Sequence, residues 1–191
     1  MSTVADVLSR VNYLLKESGT AEASRLWRDS ELYLWIDDGQ SEIMRAVPDS
    51  TSTVKTFTCG AGAKQTLAST DHLLLRVHNL TAFERSVLDL YDPDWEQASN
   101  TTPTEYTYDP SRDTRNFYVN PPAAAGSQFP VTVSVRPTNV TGSTSALTIK
   151  DEYLPALALY VAHRAMSKQA EYGSAGMEAS FLQQFMATIG G

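Results

Sequence analysis

Residues 27–48 admit few readings, because an apolar repeat runs unbroken between two clear stops. Asp29 is expected as the N-cap, its carboxylate accepting from first-turn N–H groups that lack a partner, and Glu31 suits the positive end of the helix dipole. Leu32, Ile36, Gly39, Ile43 and Val47 recur at four- and three-residue spacing and make one narrow apolar stripe. Pro48 stops the helix, having no N–H to donate. Glycine inside a helix costs about 1 kcal/mol against alanine, so Gly39 predicts either the close approach of another backbone or a kink. Tyr33 and Trp35 lie off the stripe and, with Trp27 just ahead, ask for cover on a second face, from the same chain or from another subunit.

A second helix precedes this one. Val4, Val7, Leu8, Val11, Leu14 and Leu15 keep helical spacing, Thr3 and Asp6 have the separation of a capping box, and the helix should end near Lys16. Ser18, Gly19 and Thr20 break it, and residues 21–24 lead on as a loop to the next helix. Two antiparallel helices packed on their stripes are expected.

From residue 51 to residue 149 the period falls toward two and turn residues become frequent, which predicts an inserted antiparallel β-domain, either a sandwich or a small barrel. Strands are expected at 54–58 and 64–67, paired across a turn at Gly60, Ala61 and Gly62. A further strand at 73–79 is apolar enough to lie in mid-sheet, and another is expected at 84–90. Residues 106–109 and 116–119 should pair, with Pro121 and Pro122 ending the second of them. Residues 131–136 alternate, which implies one wet face. Residues 123–127 and 138–145 read as flexible loops.

Helix returns at Lys150. Leu154, Leu157, Ala158, Val161, Ala165 and Lys168 form one stripe, while Tyr153, Ala156, Leu159 and Tyr160 make the opposite side apolar, so this helix is buried on most sides. Pro155 belongs in its first turn, where a missing N–H does no harm. Gly173 and Gly176 are expected to break it, after which Met177, Phe181, Leu182, Phe185, Met186 and Ile189 define a last amphipathic helix. The fold class is therefore α+β, with residues 1–50 and 150–191 as one helical bundle and residues 51–149 as the β-insert.

Composition limits the chemistry. The single Cys59 excludes an internal disulfide framework and suits a reducing compartment, and no apolar run reaches the roughly 20 residues that cross a bilayer. Nor does the N-terminus have the order of a signal peptide. A net charge of −7 without a basic cluster argues against specific nucleic-acid binding, yet suits a surface past which DNA slides without sticking. His72, His78 and His163 are too scattered for a metal site, and no phosphate-binding or nucleophile motif occurs. Asp37 and Asp38 diverge around a helix and cannot form a close dyad, while Asp89, Asp92 and Asp94 could hold a calcium ion in principle but lack the glycine-centred spacing of a calcium loop, so a solvated turn is expected there. No cofactor is expected. Tyr91, Trp95, Tyr106, Tyr108, Phe117 and Tyr118 could line a sugar groove, or simply pack a small β-domain.

Trp27, Leu32, Trp35 to Ile43, Leu88 and Asp89, Pro93 to Trp95, Phe117 to Val119, Pro121 and Pro122, and the run from Asp151 through Tyr160, Arg164 and Lys168 to Tyr172 together resemble a family of tailed-bacteriophage head-to-tail adaptor, or connector, proteins. The resemblance implies a structural virion protein of the neck, assembled in the host cytoplasm, that is not an enzyme. It implies a homo-oligomeric, commonly dodecameric ring, formed by the helical part, that joins the portal protein to the tail tube or nozzle and lines the DNA conduit. Under it, Leu32, Ile36, Ile43, Leu157 and Val161 are buried fold positions. Met177, Phe181, Leu182, Phe185, Met186 and Ile189 become candidates for docking on the portal, the alternative being that this stripe completes the chain's own bundle. Tyr33, Trp35, Trp95, Tyr106 and Tyr108 become candidates for contact with the tail or a neighbouring subunit, and the two flexible loops for ordering on assembly. The competing function is a carbohydrate- or receptor-binding β-module of a phage tail.

Overall fold

A computed structural model describes residues 2–16, 26–169 and 175–190. In chain order its elements are α1 (Val4–Leu15), α2 (Asp29–Ala46), β1 (Ser52–Thr58), β2 (Gly62–Thr66), β3 (Asp71–Val77), β4 (Thr81–Ala82), α3 (Arg85–Tyr91), β5 (Glu105–Thr107), β6 (Asn116–Ala123), β7 (Gln128–Val135), α4 (Leu154–Gln169) and α5 (Ala175–Ile189). The class is α+β. The expected breaks at residues 18–24 and at Gly173 lie outside the described residues. The chain divides into two compact units, Met1–Thr51 with Arg136–Gly191, and Ser52–Val135. Residues 136–149, expected with the β-insert, thus group with the helices.

In the helical unit α4 packs against α1, α2 and α5. One core gathers Val4, Val7 and Val11 of α1, Leu32, Ile36 and Ile43 of α2, Leu157 and Val161 of α4, and Phe185 of α5. Each buried aliphatic side chain of this kind contributes about 1.5–3 kcal/mol through removal from water.

Local signals set the helix ends. The Thr3 N–H and hydroxyl both donate to Asp6 Oδ2, at 2.8 and 3.0 Å, and Lys16 closes α1 in the left-handed region at φ 56°. The start of α2 lies one residue earlier than expected. Arg28 is the cap and Asp29 the first helical residue, because the Glu31 carboxylate reaches back to accept the Arg28 N–H at 3.3 Å. Pro48 begins a 3-10 turn, Pro48–Thr51. Pro155 sits second in α4, behind a 3-10 turn at Asp151–Tyr153. Gly176 does not break a helix: it lies in the first turn of α5.

Gly39 faces α4, as close approach requires, but its neighbours are side chains rather than backbone: a Cβ there would stand 2.5 Å from Leu157 Cδ1 and 2.8 Å from Tyr160 Cδ1.

Residues 138–145, expected to be mobile, are fastened at several points. The Val4 and Ala5 N–H groups, orphans of a first helical turn, donate to the Ser145 and Ser143 carbonyls at 3.0 and 2.9 Å. The Val140 N–H donates to Asp37 Oδ1 at 2.9 Å and the Thr148 N–H to Gln40 Oε1 at 2.8 Å. Val140, Leu147 and Ile149 are buried in the same core. A polar segment is held here because helix side chains and helix ends need its backbone.

The β-unit has a three-stranded sheet in the order β1-β7-β3 and a four-stranded sheet in the order β2-β6-β5-β4. Phe57 and Phe129 of the first sheet and Phe117 of the second meet with ring centroids 5.1 to 6.5 Å apart, so both sheets contribute to one core, as in a sandwich. The β4–β5 pair is parallel, which makes the second sheet mixed rather than wholly antiparallel.

Several strand expectations change. β1 and β2 do not form a hairpin: β1 pairs with β7, Ser52 opposite Ser134 and Thr58 opposite Gln128, and β2 pairs with β6. Mid-sheet belongs to β7, while the apolar β3 is an edge strand whose Leu74 and Val77 supply the core. The non-core face of β7 is half-buried rather than wet, and Ser134 is fully buried. Residues 84–90 are mostly helix α3, not strand. β5 and β6 pair as expected, Tyr106 opposite Val119, but β6 continues through the cis Asn120–Pro121 peptide and Pro122 to Ala123. Residues 123–127 are a bonded turn instead of a free loop. The Gly126 N–H donates to the Cys59 carbonyl at 3.0 Å and the Cys59 N–H to the Ser127 carbonyl at 2.8 Å, with Gly126 at φ 87°, where glycine is the least strained residue.

Candidate functional site

The α5 stripe divides between two duties. Phe185 is buried and Phe181, Leu182 and Ile189 are half-buried against the helical core, with the Phe185 ring 5.3 Å from that of Tyr160. Met177 and Met186 are 50 % and 55 % exposed. Ser167 Oγ donates to Glu178 Oε1 at 2.7 Å, with His163 Nδ1 at 3.9 Å from the same oxygen, and these polar contacts tie the start of α5 to α4.

The aromatic candidates divide between the two units. Tyr33 and Trp35 pack at the edge of the helical core, where Trp35 also lines a recess of about 430 Å³ with His163, Arg164, Ser167 and Lys168. Its cations are countered: Lys168 pairs with Glu31, and Arg164 stands 3.9 Å from Asp38. Trp95 is enclosed in the β-unit, its Nε1–H donating to Asp89 Oδ1 at 2.9 Å and its ring meeting Phe83 and Tyr118 edge-on. Tyr106 and Tyr108 are half-buried, and the Tyr108 hydroxyl donates to the Thr114 carbonyl at 2.8 Å. Burial pushes the Tyr108 phenol above its ordinary value, a further sign of a packing role. Tyr33 and Trp35 thus belong to the helical unit, and Trp95, Tyr106 and Tyr108 to the β-unit.

His78, just past the end of β3, has its Nε2 2.8 Å from Thr132 Oγ1 of β7, and His163 is the Glu178 neighbour already described. Asp89 is engaged by Trp95 and lies 3.6 Å from Arg85. No group of three or more His, Cys, Asp or Glu side chains suited to a metal ion occurs among the described residues. Likewise, no helix among them is long and apolar enough to cross a membrane.

What the geometry offers instead is surface. Two features escaped the reading of single elements. One is the face of α3 formed by Val87, Leu90 and Tyr91, all exposed; their spacing at i, i+3 and i+4 was the available signal, hidden by an expected strand. The other is a groove of about 440 Å³ between α1 and α4, walled mainly by apolar side chains that include Tyr13, Leu14 and Leu159.

A family model described as SU10 adaptor protein matches residues 2–191. The chain belongs to the SU10 adaptor protein family. This is a phage head-to-tail adaptor family, so membership fixes the broad role as a structural phage adaptor and bears out the resemblance read from the sequence. Among curated proteins nothing matches the chain. Apolar surface among the described residues includes the exposed methionines of α5, the face of α3 and the α1–α4 groove.

Proposed function

We propose that this chain builds a ring, dodecameric as is common among such adaptors, that seats under the portal and offers a platform to the tail tube or nozzle. The observation that carries the proposal is the match to an adaptor family across residues 2–191. In this reading the N- and C-terminal helices act as one bundle that forms the ring, and the β-unit faces neighbouring subunits or the tail. α5 docks on the portal through Met177 and Met186, its two exposed large apolar side chains, while Phe181, Leu182, Phe185 and Ile189 hold the helix on its own core. Flexible apolar side chains such as methionine adapt well to a partner surface.

Packaged DNA passes without specific binding, which the net charge of −7 favours by like-charge repulsion. The protein works in the virion neck, after assembly in the host cytoplasm, without catalysis or a cofactor. Negative-stain electron microscopy of the purified protein, alone and mixed with its portal ring, tests the proposal. Free rings, or a new layer stacked on the portal, support it. A small monodisperse particle that ignores the portal overturns it.

A further inference from the structure

α3 has no buried residue, although it carries three large apolar side chains on one face. Leu90 is 76 % and Tyr91 81 % exposed, beside Val87. The helix is nevertheless held firmly from behind. The Arg85 guanidinium lies 4.1 Å from the centre of the Tyr118 ring and pairs with Asp89 and Glu96, and Asp89 accepts the Trp95 Nε1–H. An apolar face kept rigid and turned outward is a candidate for burial against a partner. Its border is negative: residues 84–96 contain Glu84, Asp89, Asp92, Asp94 and Glu96 against Arg85 alone.

The α1–α4 groove has the opposite character. It is concave, with a volume of about 440 Å³, and its walls are Tyr13 and Leu14 on one side and Pro155, Ala158 and Leu159 on the other. Among the described residues, Arg10 is the one charged residue that lines it. Tyr13 at its edge is 85 % exposed. A cavity of this size falls within the range of about 300–1,000 Å³ that holds small ligands or anchoring side chains.

We propose that the apolar face of α3 on one copy of this chain seats in the α1–α4 groove of a second copy, with the acidic border of α3 meeting Arg10. The proposal rests on the ring-forming reading and names the surfaces that would close the ring. A second copy is the favoured occupant because the knob and the groove are both apolar, opposite in charge at their borders, and carried by the same chain. A contact between two different patches of one subunit is heterologous, and heterologous contacts generate rings when the rotation closes.

Two single variants of the full chain, Tyr13→Cys and Leu90→Cys, are mixed under assembly conditions, with and without the portal ring, and oxidised. Both positions are exposed, so the variants should fold, and native Cys59 is buried and does not compete. The expected product is a disulfide-linked dimer of the two variants that forms in the mixture and not from either variant alone. In a second measurement Arg10→Glu weakens self-association about fivefold, in keeping with roughly 1 kcal/mol for a border charge, and Asp92→Arg in the same chain restores it. Assembly without the 13–90 link, or with 13–13 links dominant, overturns this contact and leaves the adaptor reading standing. A chain that neither self-associates nor layers on the portal overturns both.

Discussion

Gly39 of α2 and Leu157 of α4 stand so close that a methyl group on Gly39 would lie 2.5 Å from Leu157 Cδ1. Leu157 is fully buried, and the Tyr160 ring, 2.8 Å from the same point, is backed by Phe185, so neither neighbour has room to swing away. Overpacking of a tight core costs about 1–3 kcal/mol, against a helix-propensity gain of about 1 kcal/mol for replacing glycine. Gly39→Ala is therefore expected to lower stability by a net of about 1 kcal/mol, read as a lower urea midpoint with an unchanged slope. A midpoint that rises would show that α2 and α4 separate easily.

Gln40 joins α2 to the segment before α4. Its side chain is fully buried and its Oε1 accepts the Thr148 N–H, while Nε2 has no hydrogen-bond partner. Gln40→Met keeps the volume but leaves the half-buried Thr148 N–H without its partner, a loss of about 1 kcal/mol. Chemical denaturation measures the total. Amide exchange at Thr148 should accelerate more than exchange at Ile43 in the middle of α2.

Three carboxyls predict a loss of stability in acid. Asp6 is held below its ordinary value chiefly by the Thr3 N–H and then its hydroxyl, Asp151 by the Ser2 hydroxyl and then its N–H, and Glu31 first by Lys168. A carboxyl lowered in the folded state stabilises the fold above its unfolded pKa, and that contribution is lost as pH falls through the folded value. The urea midpoint should drop as pH falls below about 4. The double variant Asp6→Asn with Asp151→Asn should drop less steeply.

Asp37 works in the opposite sense. Burial raises its pKa more than the Val140 N–H lowers it. An acid raised in the folded state opposes folding once ionised, and the penalty fades as pH falls through the raised value toward the unfolded one. Asp37→Asn retains an acceptor for Val140, so it should raise the urea midpoint at neutral pH and match the parent in acid. A midpoint lowered at neutral pH would show that the ionised carboxylate supports the 140 segment.

Cys59 should be silent in the folded protein. Burial pushes its thiol up to about 11, which lowers the thiolate fraction about a hundredfold before access is considered. A thiol reagent should find no reactive group at mildly alkaline pH and one after denaturation. Rapid labelling of the native chain would place Cys59 in an opening segment.

The sequence made the helical elements legible because burial on one side of a helix leaves a period in the residues themselves: the stripe from Leu32 to Ile43 and that of Leu154, Leu157 and Val161 are the observed core positions. Strand neighbours left no such trace. The pairing of Thr58 with Gln128 joins distant parts of the chain, and nothing local distinguishes it from a hairpin at Gly60. The apolar run of β3 signalled burial of Leu74 and Val77 but not its place at an edge. Val87, Leu88 and Leu90 fit either period over so short a run, and α3 was hidden for that reason. The polar residues 138–145 looked free because their partners, Asp37 and the first turn of α1, lie far off in sequence. In α5, periodicity marked six large side chains, and only packing divides Phe185 from Met177 and Met186.

That division gives the portal-docking prediction its form. Removing α5 would strip Phe185 from the core and confuse docking with folding, whereas Met177 and Met186 are exposed and can be changed with small effect on stability, within about 0.5 kcal/mol. Met177→Glu with Met186→Glu should therefore leave the thermal midpoint of the isolated chain near that of the parent. If these side chains are anchors in a desolvated contact, each is worth about 1–2 kcal/mol, and the double variant should bind the portal ring at least about thirtyfold more weakly. Sedimentation of the chain with the portal ring measures that loss. Undiminished binding by the folded double variant would move the docking surface off α5.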